Sequence, residues 1–212
     1  MSTPDITIGV IDYGVGNRRS VEKAVARVAK RALLTGDHDA LRAADALILP
    51  GVGAFPAGMD LLRAGGFDEL LHERAQAGVP IFGSCLGMQL LFESSTELGG
   101  AEGLGLLRGE VRALEAPGLK LPHIGWSVVR PTATSPLLDG LPDPAVFYHV
   151  HSYVPHPADP AEVLGVSDYG ESFASIVGNG TVFGAQFHPE KSSSHGLRLL
   201  ANFAAFAARQ PA

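Results

Sequence analysis

A five-residue run around the only cysteine constrains the fold of this chain more than any other part of its sequence. Gly83-Ser84-Cys85-Leu86-Gly87 has the form Gly-x-nucleophile-x-Gly, in which glycines allow a strand to turn sharply into a helix. The apolar run Val79–Phe82 predicts a short buried strand before the turn, and Met88–Glu93 predicts the start of a helix after it. The Cys85 thiol would then lie at a helix N-terminus, where the helix dipole favours the thiolate.

The first half of the chain alternates short apolar runs with stretches of helical periodicity. Ile6–Ile11 and Ala46–Leu49 predict strands, whereas Arg18–Lys30 carries apolar residues on one helical face. Met59–Leu62 and Phe67–Ala77 also predict helices. Strands that alternate with helices are typical of a parallel sheet covered by helices on both faces.

The second half has a different pattern. From Gly103 to Val182, prolines and glycines separate short runs rich in Val, Ile, Tyr and Phe, which predict further strands with few helices. A helix is predicted from Ser194 to Ala208. We therefore expect an α/β fold with a mostly parallel central sheet flanked by helices, additional strands in the second half, and a single domain over residues 1–212.

Composition narrows the function classes. The 212 residues are 46% hydrophobic and 18% charged, as in compact globular proteins, and the net charge of −6 argues against a general nucleic-acid-binding surface. A single cysteine excludes an intramolecular disulfide and fits a reducing cytoplasm, which is the expected location. The N-terminal region has no signal-peptide pattern, and no apolar run approaches the ~20 residues of a membrane span.

A second motif supplies a partner for the thiol. In Gln186–Glu190, His188 follows a predicted strand, and Glu190 lies two residues further on after a proline. In a parallel sheet Cys85 and His188 would meet at the carboxyl edge of their strands. His188 is the candidate base and Glu190 the residue that orients it, since a nucleophilic thiol needs both roles.

Acyl-transfer chemistry also needs an oxyanion hole. One donor would be the N–H of Leu86, immediately after the nucleophile. The second is expected from the turn Pro50-Gly51-Val52-Gly53, which follows the strand Ala46–Leu49, with Val52 and Gly53 as the candidates.

Together these motifs resemble those of the class-I, triad-type glutamine amidotransferases. The resemblance is narrower still to the glutaminase subunits of imidazole glycerol phosphate synthase, and it extends over most of the chain. The blocks that carry it are residues 11–17 (IDYGVGN), 50–53 (PGVG), 83–89 (GSCLGMQ), 122–126 (PHIGW), 148–153 (YHVHSY) and 187–193 (FHPEKSS).

The resemblance implies a glutaminase. Cys85 would attack the side-chain amide of glutamine, and water would later hydrolyse the glutamyl thioester to release glutamate and ammonia. Gln89 and backbone groups of Gly53, Ser152 and Tyr153 would bind the substrate glutamine. No cofactor is implied.

The resemblance also implies a partner. Ammonia would pass to a cyclase subunit with a (β/α)₈ barrel, forming a heterodimer that makes imidazole glycerol phosphate and aminoimidazole carboxamide ribotide in histidine biosynthesis. The residues expected near the subunit interface and the ammonia passage are Asn17, His123, Trp126, Tyr148 and Lys191. The family usually has Asn after Gly-Trp, where this chain has Ser127.

Alternative interpretations are weaker. His149 and His151 would lie on one face of a strand, as metal ligands sometimes do, but no cysteine or carboxylate cluster joins them, so no metal site is predicted. Gly14-Val15-Gly16 lacks the third glycine of a dinucleotide-binding turn.

Two rival functions remain. The first is an amidotransferase that serves another synthase, such as anthranilate, aminodeoxychorismate or pyridoxal phosphate synthase. The second is a pseudo-enzyme or regulatory subunit. The motifs 122–126 and 148–153 argue against the first, and the intact triad argues against the second.

Overall fold

Short strands dominate the architecture of residues 3–210, the part of the chain that the computed structural model describes; the ends of the predicted domain, residues 1–2 and 211–212, lie outside it. Thirteen strands lie within these residues: β1 (Thr7–Ile11), β2 (Arg31–Thr35), β3 (Ala46–Leu49), β4 (Ile81–Ser84), β5 (Ser94–Ser95), β6 (Ala101–Glu102), β7 (Gly109–Ala113), β8 (His123–Pro131), β9 (Ala145–His151), β10 (Tyr153–Pro157), β11 (Val163–Tyr169), β12 (Glu171–Asn179) and β13 (Val182–Ala185).

Nine of these strands form one mixed sheet in the described region, in the order β2-β1-β3-β4-β13-β12-β11-β8-β9. Strands β2, β1, β3, β4 and β13 are mutually parallel, and each pair from β13 to β9 is antiparallel. The other four strands form a smaller sheet in the order β10-β7-β5-β6. The additional strands of the second half therefore extend the parallel sheet at one side.

Helices cover both faces of the parallel half. Those within residues 3–210 are α1 (Arg18–Val25), α2 (His38–Arg42), α3 (Phe55–Ala64), α4 (Phe67–Gln76), α5 (Leu86–Leu90) and α6 (Ser193–Ala207), and short 3₁₀ turns occur at Glu97–Gly99, Pro136–Leu138, Pro160–Glu162 and Pro189–Lys191. None of the described helices is both long and apolar enough to cross a membrane.

The parallel strands separate two hydrophobic cores because successive side chains of a strand point to opposite faces. Ile8, Val10 and Ile48 pack into the core that includes residues of α1 and α6. Leu47 and Leu49 pack into the other core, with residues of α3, α4 and α5. Both cores are buried against the strands that end at the candidate active site, so the strand ends are held rigidly.

Several predicted boundaries differ from the structure. The predicted helix Arg18–Lys30 ends at Val25, and the chain then turns into the unpredicted edge strand β2. Every residue of β2 is at least partly exposed, so the alternation of apolar and polar residues that identifies a strand is missing. Strand β4 begins at Ile81 rather than Val79, because Pro80 has no N–H to contribute to a sheet.

Candidate active site

The turn that carries Cys85 is a strained junction between β4 and α5. Cys85 has φ 53° and ψ −115°, a conformation that costs a non-glycine residue roughly 1–3 kcal/mol and persists where the surrounding structure enforces it. The flanking glycines are required by close packing: a Cβ on Gly87 would lie 1.9 Å from the carbonyl oxygen of Leu49, and one on Gly83 would lie 2.6 Å from the carbonyl oxygen of Gly87. The local sequence therefore presents the thiol at the edge of the sheet.

His188 lies beside this turn because β13 pairs in parallel with β4. The N–H of Cys85 donates to the carbonyl of Ala185 at 2.8 Å, which ties the nucleophile to the end of β13. His188 follows three residues later, and its Nδ1 lies 3.0 Å from Oε1 of Glu190. Both side chains are buried. The structure thus brings all three residues of the predicted triad together.

The electrostatics of His188 favour its charged form. Burial lowers the pKa of this imidazole, but hydrogen bonds and charge interactions with Cys85 and Glu190 outweigh burial and raise the pKa to about 9. The ring therefore carries a proton at neutral pH.

A cavity of about 270 Å³ opens over the thiol. Its volume suits a small ligand such as an amino acid, since drug-sized ligands occupy pockets of roughly 300–1,000 Å³. Its lining comes from both halves of the chain: Val52, Gly53, Cys85, Leu86, Gln89, Glu97, Pro122, Val150, His151, Ser152, Tyr153, His188 and Lys191. All of the predicted oxyanion-hole and substrate-binding residues therefore line one cavity.

The turn at residues 50–53 is anchored at its start and free at its tip. The Tyr13 hydroxyl donates to the carbonyl of Pro50 at 2.8 Å, and a Cβ on Gly51 would lie 2.7 Å from the N–H nitrogen of Gly87. By contrast, Val52 is 43% exposed, and Gly53, at φ +107°, has no neighbour within 4 Å of an added Cβ. The predicted second oxyanion donor thus lies in the least constrained part of the turn.

Gln89 forms the floor of the cavity. Its Nε2 donates to the carbonyl of Tyr153 at 3.0 Å and to Oε1 of Gln186 at 3.1 Å. Both of its side-chain hydrogen bonds within residues 3–210 use Nε2, which leaves Oε1 to accept from a ligand. Cys85 also contacts this wall, since its Sγ lies 3.7 Å from the carbonyl oxygen of Val150.

The comparisons with known proteins fit this geometry. The sequence pattern of the family described as "Glutamine amidotransferase class-I" matches residues 10–206. The chain belongs to the class-I glutamine amidotransferases. Two solved structures share the fold. One called "glutamine amidotransferase" superposes with TM-score 0.70 at 25% identity, covering 94% of this chain and 98% of the other. The Thermotoga maritima PurLQS structure gives TM-score 0.72 at 21% identity, covering 96% and 99%.

Similar proteins of known name indicate to which subgroup of the family the chain belongs. The "Imidazole glycerol phosphate synthase subunit HisH" of Bacillus cereus (strain G9842) is 48% identical over 196 residues, covering 92% of this chain and 93% of the relative. The subunits of the same name from Symbiobacterium thermophilum and Salinibacter ruber are each 47% identical, covering 92% of this chain and 92% and 93% of the relatives. The amidotransferase therefore groups with the HisH subunits.

Sequence reasoning missed one acidic residue of the amidotransferase cavity. Glu97 lines it, and its Oε2 accepts from the N–H of Phe55 at 2.7 Å. Glu97 is an ordinary acidic residue ahead of Gly99-Gly100, so the sequence carries no motif that marks it. Only the folded structure shows that it lines the same cavity as Cys85.

Some of the residues expected near a partner are exposed, and others point into the interior. Trp126 is 54% exposed and contacts Tyr148 edge-on at 5.8 Å between ring centroids, and Lys191 Nζ lies 6.0 Å from the Tyr148 ring. Asn17 reaches inward, where its Nδ2 donates to Oε1 of Glu190 at 3.4 Å. His123 is buried, with its Nε2 3.1 Å from Ser127 Oγ. Lys191 also lines the cavity, so the exposed group extends to the candidate active site.

The amidotransferase also contains a buried histidine cluster that the sequence did not predict. His123 joins His149 and His151, the pair for which the sequence predicted no metal. Burial lowers the pKa of His149 well below its usual value and that of His151 to about 3, and the neighbouring imidazoles add to both shifts. All three rings lie within the described core, and they are the residues that could hold a metal ion.

Proposed function

We propose that the whole chain acts as one amidotransferase domain, the glutaminase subunit of an imidazole glycerol phosphate synthase. It hydrolyses glutamine at Cys85 and delivers ammonia to a cyclase subunit in histidine biosynthesis. The observation that carries the proposal is the buried group of Cys85, His188 and Glu190 at the edge of one cavity. The similarity to HisH subunits over most of the chain supports the choice of synthase.

In the first half of the reaction, the Cys85 thiolate attacks the side-chain carbonyl carbon of glutamine, and a C–S bond forms. The imidazolium of His188 then gives its proton to the amide nitrogen as the C–N bond breaks, which releases ammonia. Glu190, 3.0 Å from Nδ1, holds the ring so that Nε2 faces the thiol and the leaving group. The product of this half is a glutamyl thioester.

In the second half, neutral His188 takes a proton from water, and the hydroxide attacks the thioester. The C–S bond breaks, glutamate leaves and the thiolate–imidazolium pair is restored. Both tetrahedral intermediates carry an oxyanion, for which we assign the N–H of Leu86 and a second N–H from Val52 or Gly53. Each such donor is worth ~100- to 1000-fold in rate.

Recognition of glutamine uses polar groups of the cavity wall. Gln89 Oε1 and backbone groups of Gly53, Ser152 and Tyr153 are assigned to the substrate. To these we add Glu97, whose carboxylate is the anionic group suited to the α-ammonium of glutamine. A charge-assisted hydrogen bond of this kind contributes about 1.5–3 kcal/mol.

Replacing Glu97 by glutamine should raise the KM for glutamine about 10- to 100-fold with little change in kcat, because the contact is the same in the ground state and the transition state. The glutamine side chain introduced at position 97 still offers an acceptor for the N–H of Phe55. The matched control is Glu93→Gln, since Glu93 also accepts from a backbone N–H, that of Gly109, away from the cavity lining. An unchanged KM in steady-state assays of Glu97→Gln would remove Glu97 from the binding site.

The surface assigned to the cyclase lies on β8 and β9, at one end of the large sheet. The exposed face of β8 carries Ile124, Trp126 and Val128, which are 61%, 54% and 39% exposed. Exposed apolar side chains grouped on one strand mark a protein-binding surface. Tyr148 contacts Trp126 and lies near Lys191, which also lines the cavity. We assign these residues to the route by which ammonia would reach this face.

The test is a mixing assay with the purified full-length chain, glutamine, and one candidate synthase subunit at a time. We expect glutamine-dependent product only with the cyclase of imidazole glycerol phosphate synthase. Product formation with an anthranilate, aminodeoxychorismate or pyridoxal phosphate synthase subunit instead would contradict the assignment. Failure with every subunit, including the cyclase supplied with glutamine, would reject the glutaminase function itself.

A further inference from the structure

Three histidines from two strands form a buried cluster beside the active-site cavity. One ring nitrogen from each of His123, His149 and His151 lies within 4.8 Å of the other two. We propose that this cluster binds one divalent transition-metal ion of the zinc class. The site is separate from the triad, although His151 also lines the active-site cavity.

The antiparallel pairing of β8 with β9 builds the cluster. His123 lies directly across from His151, and His149 lies two residues along β9, opposite Gly125. Residues at i and i+2 share a face of a strand, so all three imidazoles project from one face of the pair. That face is buried, and each ring is at least nine-tenths removed from solvent. The sheet register therefore holds three ligands in place before any ion arrives.

The hydrogen bonding of His123 leaves one of its ring nitrogens available to bind a metal ion. Its Nε2 lies 3.1 Å from the hydroxyl of Ser127, while its Nδ1 is buried with no partner among residues 3–210. A donated Nε2–H fixes the ring and leaves a lone pair on Nδ1, as in metal-bound histidines oriented by a second hydrogen bond. A buried nitrogen without a partner is otherwise costly.

The other two rings already have the required spacing. His149 Nδ1 and His151 Nε2 are 3.1 Å apart, and two ligands on a tetrahedral zinc with bonds of 2.0–2.1 Å are about 3.4 Å apart. An ion would replace this hydrogen bond after one ring moves its proton to its other nitrogen. His149 Nε2 and His151 Nδ1, which also lack partners in the described region, then carry the ring protons. Binding would bring the ligand atoms that are farthest apart, up to 4.8 Å, to about 3.4 Å.

The donor set selects the metal. The cluster contains imidazoles alone, without a carboxylate, so it does not suit Ca²⁺ or Mg²⁺, which need oxygen ligands. Neutral imidazoles suit Zn²⁺, Co²⁺, Ni²⁺ and Cu²⁺. Three protein ligands leave a fourth position for water. The ion would fasten β8 to the end of β9, next to Val150, whose carbonyl contacts Cys85.

The experiment measures Zn²⁺ binding by calorimetry and Co²⁺ binding by visible absorption. It uses the untagged, chelator-treated full chain carrying Cys85→Ala, which removes the thiol as a competing ligand. We expect one ion per chain with a tetrahedral Co²⁺ spectrum. His123→Gln and His149→Gln should each weaken binding at least about 10-fold, as loss of a ligand costs no less than loss of its orienting partner.

The matched control is His156→Gln, an exposed strand histidine outside the cluster, which should bind the ion like the parent. The proposal would be overturned if His123→Gln and His149→Gln bound the ion as tightly as the parent does. It would also be overturned if the parent bound no ion in a 1:1 ratio. If circular dichroism shows that those variants do not fold, crystals of the parent soaked in Zn²⁺ provide the test instead. An anomalous peak among the three rings supports the site, and a soaked crystal without one refutes it.

Discussion

Replacing Cys85 by alanine should abolish glutamine-dependent synthesis, with glutaminase turnover falling on the order of 10⁶-fold, the loss seen when a covalent nucleophile is removed. In the proposed mechanism Cys85 is the nucleophile at the elbow between β4 and α5, and His188 and Glu190 act through it. The cyclase should still make product from added ammonium, because that route bypasses the thioester. Glutamate release and product formation from both nitrogen sources are the measurements.

Ser84→Ala is the matched control for this substitution. Ser84 is buried immediately before the nucleophile, in β4, so a small apolar side chain fits its position. We expect Ser84→Ala to retain the glutamine-dependent rate within a few-fold. Persistent glutamine hydrolysis by Cys85→Ala would show that Cys85 is not the nucleophile. Loss of the ammonium-dependent rate as well would show damage to the complex rather than to the chemistry.

The geometry of the turn that carries Cys85 was predictable because it depends on local backbone constraints. Gly83 and Gly87 are needed where the backbone passes close to other backbone atoms, and that need appears directly in the sequence. The apolar strands β1 and β3 were predicted for a related reason, since strands buried on both faces are almost continuously apolar. The class of fold followed from these elements.

Features that depend on strand register were not predictable. Glu97 faces the cavity because a 3₁₀ turn places it there, and nothing in its neighbours marks it. His123 joins His149 and His151 only because β8 and β9 pair in one register, and a shift by one residue would turn it to the opposite face. The edge strand β2 was missed because partial exposure along its length removes the usual alternation.

The isolated chain is expected to hydrolyse glutamine slowly, and the cyclase should stimulate it about 100- to 1000-fold, the contribution of one oxyanion donor. Val52 is 43% exposed and the Cβ position of Gly53 is open, so the tip of this turn is free to change conformation. Its base is fixed by Tyr13 and by packing against α5, so the movement is confined to the donor itself. Binding of the cyclase would then complete the oxyanion hole, so ammonia would be released mainly when the cyclase is present to accept it.

Glutaminase assays over a range of cyclase concentrations test this coupling. Trp126→Ala should raise the cyclase concentration needed for half-maximal stimulation at least about 10-fold, since a large exposed aromatic side chain is a typical interface anchor. The rate of the isolated variant should not change, because Trp126 does not line the cavity. Equal turnover with and without the cyclase would show that the oxyanion hole is complete in the free chain, and the partner would then only receive ammonia rather than control its release.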